Sequence, residues 1–121
     1  MIILNNQLKI FMMQKDNDGR DLSDLNAKAK KQLTQAFNGL TITNAEGTWI
    51  DGDQLYIDKS YIYSCSYSGK LTATQTSAVI DVIKDELNKG KQQAVSIMLN
   101  GTLYILDAGD LDNFKEILSK R

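Results

Sequence analysis

Tyrosines, aspartates, serines and a single cysteine carry whatever chemistry this chain can do, because it contains no histidine. That removes the commonest general base near neutral pH and the commonest metal ligand. Asp51, Asp53 and Asp58 gather around a turn at Gly52, and paired carboxylates do acid–base work where burial sets their pKa values apart. A metal-free enzyme would need Tyr63 or Tyr67 beside Asp53 or Asp58, which makes Tyr63, Tyr67 and Asp58 the candidate catalytic residues. The acids straddle an exposed turn, however, where Asp and Gly serve the backbone. Asp16-Asn17-Asp18-Gly19 begins like a calcium loop, with Gln14, Asp16 and Asp18 in ligand positions. Leu25 stands where the closing bidentate Glu is required, so the segment reads as a solvated turn, and no metal or cofactor is expected. Cys65 has no histidine to depress its pKa and reads as a small buried hydrophobe. No Walker A motif and no Gly-rich dinucleotide turn is present.

The aromatic stripe is the most informative surface. Tyr61, Tyr63, Cys65 and Tyr67 share one parity, and Ile62, Ser64, Ser66 and Ser68 the other, the mark of a strand with two unlike faces. The serine parity is too small and polar to fill a core, so the tyrosines are expected beneath helices. Ser64 and Ser66, with Leu99 or Tyr104 alongside, are then the floor of an open binding face, and Trp49 is an anchor at the core or its rim.

The elements that position these residues follow from periodicity. Leu8–Gln14 is a nearly unbroken apolar run suited to a central strand buried on both faces, with Ile2–Leu4 folding back on it across Asn5-Asn6. Helical spacing of Leu22, Leu25, Ala29, Leu33 and Phe37 predicts a helix from about Asp21, its N-cap, to Phe37, stopped by Asn38-Gly39. Leu40–Thr43 and Thr48–Asp51 read as short strands around a turn at Asn44–Gly47, and Leu55–Ser68 as a long strand. Thr72 and Gln75 form a capping box for a helix from Ala73 to Asn88. Ala94–Leu99 and Thr102–Leu106 flank Asn100-Gly101, a two-residue hairpin signal. Asp110 caps a last helix carrying Leu111, Phe114, Ile117 and Leu118. The order β-α-β-β-α-β with extra hairpin arms and a short C-terminal helix predicts a ferredoxin-like α+β fold, an antiparallel sheet with its helices on one face.

Composition sets the outer limits. The 121 residues, with 42% apolar and 24% charged, suit one globular domain. Lysine and arginine number 14 against 15 acids, for a net charge of −1, which argues against a nucleic-acid partner. Lys28, Lys30, Lys31, Lys84, Lys89 and Lys91 read as solvated helix surfaces balanced by nearby acids. No run approaches membrane-spanning length, and one cysteine without a partner points to the cytoplasm.

The residues Gly39-Leu40-Thr41, Gly47 and Trp49, with Asp58-Lys59-Ser60 entering an apolar strand, Gln92 to Val95 near the last strand, and Phe11 with Gly19 early on, resemble a pattern. It belongs to a bacterial family of domains of unknown function carrying Phe-Pro-x-Gly-Leu-Thr and then Gly-x-Trp. Ala36-Phe37 replaces the Phe-Pro pair, and Asp58 replaces a usual Glu. The resemblance implies a small ferredoxin-like domain with no assigned activity. Within it, Gly39 supplies a helix stop at positive φ and Gly47 opens a turn.

These observations favour a binding or interaction module over an enzyme. Its open sheet face would form a homodimer or take a protein partner or small ligand. The alternatives are a metal-free enzyme of the dimeric α+β barrel type using Tyr and Asp, and a phage or mobile-element inhibitor of a host protein.

Overall fold

A computed structural model describes all 121 residues. Strand β1 (Asn6–Met13) leads into helix α1 (Ser23–Phe37), strands β2 (Thr41–Asp51) and β3 (Gln54–Tyr67), and helix α2 (Ala73–Asn88). Strands β4 (Val95–Leu99) and β5 (Thr102–Leu106), a single 3₁₀ turn, and helix α3 (Leu111–Ser119) complete the chain. The five strands lie in the order β2-β3-β1-β4-β5, and every pairing is antiparallel. This is the ferredoxin-like α+β arrangement with β5 added at one edge. No helix is long and apolar enough to cross a membrane.

Side-chain alternation decides which face is roofed. Leu8, Ile10 and Met12 of β1, Tyr63, Cys65 and Tyr67 of β3, and Val95, Ile97 and Leu99 of β4 are buried in one cluster with Leu33, Val79, Ile83, Phe114 and Leu118 of the helices. The tyrosine stripe thus lies under the helices, as its alternation implies. Between β1 and its neighbours, the opposite face pairs Phe11 with Ile62, Lys9 with Ser64 and with Met98. These side chains are half-buried, and no element covers them. The expectation that β1 is buried on both faces is therefore corrected: its apolar run fills a core on one side only.

Several local readings also change. Ile2–Leu4 is exposed and pairs with nothing, because Asn6 already belongs to β1 and both edges of that strand are taken by β3 and β4. Helix α1 begins two residues later than Asp21, whose carboxylate instead accepts from the Ser23 N–H at 3.1 Å and the Ser23 hydroxyl at 3.0 Å. The left-handed residue that stops α1 is Asn38, at φ 59°, and not Gly39. No turn forms at Asn44–Gly47; β2 runs straight through, with Gly47 opposite Asp58. The α2 capping box is as read, with the Gln75 N–H 3.1 Å from the Thr72 hydroxyl and the Thr72 N–H 2.9 Å from Gln75 Oε1. Asn100 and Gly101 both take positive φ in the β4–β5 turn, as a two-residue hairpin of this type requires. Asp110 does not cap α3; it closes a reciprocal box with Asp107 around the 3₁₀ turn.

Candidate functional site

Strand β1 ends early, and a groove opens where it stops. Met13 pairs with Ser60 at the last rung between β1 and β3. Beyond Lys59, whose carbonyl accepts from the Gln14 N–H at 3.1 Å, β3 has only β2 as a neighbour, so Gly47–Asp51 and Gln54–Asp58 project as a two-stranded arm. Strand β4 begins only at Val95 and pairs with β1 no further than Ile10. The space left between arm and β4–β5 ribbon holds about 1390 Å³. Met13 and Gln14 line it beneath the arm, Gln92–Ala94 and Ile105 line the far side, and Lys15, Asp16, Asn17 and Gly19 close the end.

The arm presents a fixed aromatic and acidic group to this groove. Trp49 and Tyr56 are cross-strand partners whose rings stack at 4.4 Å with 16° between planes. The Trp49 indole N–H donates to Asp58 Oδ2 at 2.9 Å, a diagonal reach across the open position opposite Gly47. The interaction fixes both side chains on an otherwise exposed ribbon. Trp49 remains 49% exposed and Tyr56 39%, so the outer side of the stacked pair is open to a ligand. An aromatic face beside a carboxylate attracts cations, and stacked aromatics accept nucleobases. Lys15 and Lys59 line the same groove.

At the groove's end the Asp16 carboxylate is used by the protein itself. It accepts from the N–H groups of Asp18 and Arg20, each at 2.9 Å, and its second oxygen lies 3.0 Å from Arg20 Nε. Hydrogen bonding from the Arg20 and Asp18 amides, with the Arg20 and Lys91 charges, holds Asp16 below the ordinary carboxylate range despite its burial. This is the turn read from Asp16–Gly19; no cluster of acids, cysteines or histidines capable of holding a metal ion forms anywhere in the chain.

Behind the groove lies a buried polar network. Met13 is clamped from both sides: its N–H donates to Glu86 Oε2 at 2.9 Å, and its carbonyl accepts from Asn26 Nδ2 at 3.0 Å. Asn26 Oδ1 in turn accepts from the Tyr63 hydroxyl at 2.8 Å. Burial pushes the Tyr63 hydroxyl far up, helped by the charges of Tyr61 and Glu86. Burial also pushes Glu86 up to about 7, against the pull of the Met13 amide.

The structure separates the residues expected to act together. Tyr63 and Tyr67 lie under the helices, with Tyr67 also raised by burial, whereas Asp58 sits on the open side of the arm, so no Tyr–Asp pair forms. Cys65 is buried and pushed up to about 12. Ser64 and Ser66 do lie on the uncovered face. Leu99 and Tyr104 do not: Leu99 is fully buried, and Tyr104 packs edge-on to Phe114 at 5.3 Å. The register Met98–Leu103 and Ser96–Ile105 puts those residues on the open face instead. Trp49 is at the rim, in the groove. Sequence reasoning missed Tyr56, Glu86 and Asn26. Tyr56 was legible as the cross-strand partner of Trp49 across Gly52-Asp53, but a lone Glu or Asn in a helix carries no local signal of burial.

No family model matches the chain, and no curated protein matches it. Two solved structures share its fold. A phage SAM lyase in complex with S-methyl-5'-thioadenosine superposes with a TM-score of 0.60 at 18% identity, over 89% of this chain and 95% of that one. A phage SAM lyase in the apo state gives 0.54 at 17% identity over the same shares. At these identities the likeness is one of fold.

Proposed function

We propose that this chain is a metal-free lyase that binds S-adenosylmethionine in the groove beneath the β2–β3 arm and releases S-methyl-5'-thioadenosine. The observation that carries the reading is the Trp49–Tyr56 stack with Asp58 bonded to it, set in a groove on a fold shared over 89% of this chain with phage SAM lyases. The adenine ring would lie on the aromatic pair, an interaction worth about 1–3 kcal/mol per base. The sulfonium would be drawn to the ring faces and the Asp58 carboxylate.

The chemistry suits a chain without histidine. The substrate's own carboxylate oxygen can form a bond to Cγ as the Cγ–S bond breaks; the sulfur keeps the electron pair and leaves as the neutral thioether, the amino-acid portion closes to a lactone, and neither an acid nor a base is needed. What the protein supplies is orientation and an aromatic and acidic surface for the cation. Asp58 then acts as an electrostatic partner in place of the proton-transfer role expected of it beside a tyrosine.

A second copy is part of the proposal. Ile50, Leu55 and Ile57 of the arm are each more than half exposed, an apolar surface a monomer seldom leaves bare; a homodimer would cover it. A cytoplasmic setting fits the lone buried cysteine, and a phage origin fits the likeness to phage lyases.

The test is incubation of the purified protein with S-adenosylmethionine, with chromatographic detection of S-methyl-5'-thioadenosine. The expected result is its accumulation, reduced at least tenfold in Trp49→Ala and in Asp58→Asn. Unchanged substrate after prolonged incubation, with no binding of the thioadenosine, overturns the proposal.

A further inference from the structure

Glu86 is the one carboxylate the site leaves unexplained. It is 1% exposed, yet only one of its oxygens has a partner, the Met13 N–H; Oε1 has none. Its surroundings are built tightly around that oxygen. A side-chain carbon at Gly90 would fall 2.6 Å from Glu86 Oε1 and 2.4 Å from the Glu86 carbonyl, so residue 90 must be glycine for α2 to end here. The Glu86 carbonyl also accepts from the Gln92 N–H at 3.4 Å. Glu86 thus touches both the Met13 side of the groove, through β1, and the Gln92 wall that follows α2.

We propose that Glu86 is a positioning residue for the groove, holding Met13 and with it Gln14 in place through the Met13 amide, so that taking up one proton slackens the site. The free oxygen, Oε1, is where that proton would go. The oxygen facing Met13 would then change from a carboxylate acceptor to a neutral carbonyl, which makes a weaker bond. Asn26 holds the Met13 carbonyl in either state, so the peptide loosens on one side only.

From β3 comes Tyr63, whose hydroxyl stays protonated; Asn26 of α1, which holds the other side of Met13, carries no charge. Lys28 and Lys89 pair with Asp85, and Lys91 with Asp18. No basic group offsets the burial of Glu86, whose proton is held up to about pH 7.

The titration is read by nuclear magnetic resonance on the unliganded protein, and the functional half, which rests on the proposed nucleoside site, by calorimetry with S-methyl-5'-thioadenosine. The Met13 and Gln14 amides should shift together between pH 5.5 and 8.5 with a midpoint near 7, and stay fixed in Glu86→Gln. Affinity for the thioadenosine should rise up to about fivefold from pH 6 to pH 8 in the wild type and be level in the variant. The wild-type titration needs no substitution, so a poorly folded variant leaves the test standing. Amides that do not move, or affinity that stays level in the wild type, overturn the proposal. If the thioadenosine binds at neither pH while Met13 and Gln14 titrate together, the nucleoside reading falls and the clamp is supported.

Discussion

Glu86 should affect stability in the direction opposite to an ordinary carboxylate, and Glu86→Gln should abolish that pH dependence. A carboxyl raised from 4.5 to about 7 by burial binds its proton more tightly in the folded protein than in the unfolded chain. The native state is therefore penalised as pH rises past 4.5, and the penalty is complete just above 7. At about 1.4 kcal/mol per pH unit, the wild type should lose about 3 kcal/mol relative to the glutamine variant over that window. The buried glutamine amide would face Gly90 without a partner, which adds an offset that does not vary with pH. Asp16 works in the opposite sense, its lowered pKa stabilising the fold above 3.8 and that benefit fading as pH falls below, outside this window and equally in both proteins. Urea unfolding followed by circular dichroism at pH 5, 6, 7 and 8 measures the difference directly. A gap between wild type and variant that stays constant from pH 5 to pH 8 would refute the assignment of Glu86 as a buried, titrating carboxyl.

The one-sided core can be probed with two leucines. Leu33→Ala, at a fully buried helix position, should cost about 2–5 kcal/mol, while Leu103→Ala, half-exposed on the bare face, should change stability by under about 0.5 kcal/mol; equal costs would contradict the packing. Thr72→Ala removes the hydroxyl that accepts the Gln75 N–H and should lower stability by about 1 kcal/mol in thermal unfolding. Cys65 should resist an aromatic disulfide reagent at pH 8 until the protein is denatured, since its thiol is buried and pushed up to about 12.

Periodicity made most of this fold legible because β1, β3, α1 and α2 each contribute a face to one core. The α1 stripe, the Thr72–Gln75 box and the Asn100-Gly101 turn are local signals, and each is realised in the backbone. The misreadings share a cause. Gly47 and Asn44 look like turn residues in isolation, yet an eleven-residue strand forms across them because β3 offers a partner at every position. Tyr104 was placed on the wrong face because the register of β4 against β5, which fixes its parity, is set by the hairpin and not by either strand's composition. Leu8–Met13 carries enough apolar residues for two buried faces, but burial on the second depends on a covering layer this chain does not provide. For the site, Trp49 and Asp58 were visible as single residues. Their hydrogen bond depends on the pairing of β2 with β3, and the Glu86–Met13–Asn26 clamp joins residues 13 apart on one side and 73 apart on the other, beyond any local pattern.

The claim that the groove under the arm takes a thioadenosine is tested most directly by titrating the isotopically labelled protein with S-methyl-5'-thioadenosine. Saturable shifts should appear at the Trp49 indole N–H and at the amides of Met13, Gln14, Tyr56 and Asp58. An unmoved Trp49 signal, or shifts confined to the polar cleft between α1 and α2 around Lys28, Gln32, Asp81 and Asn88, would contradict it.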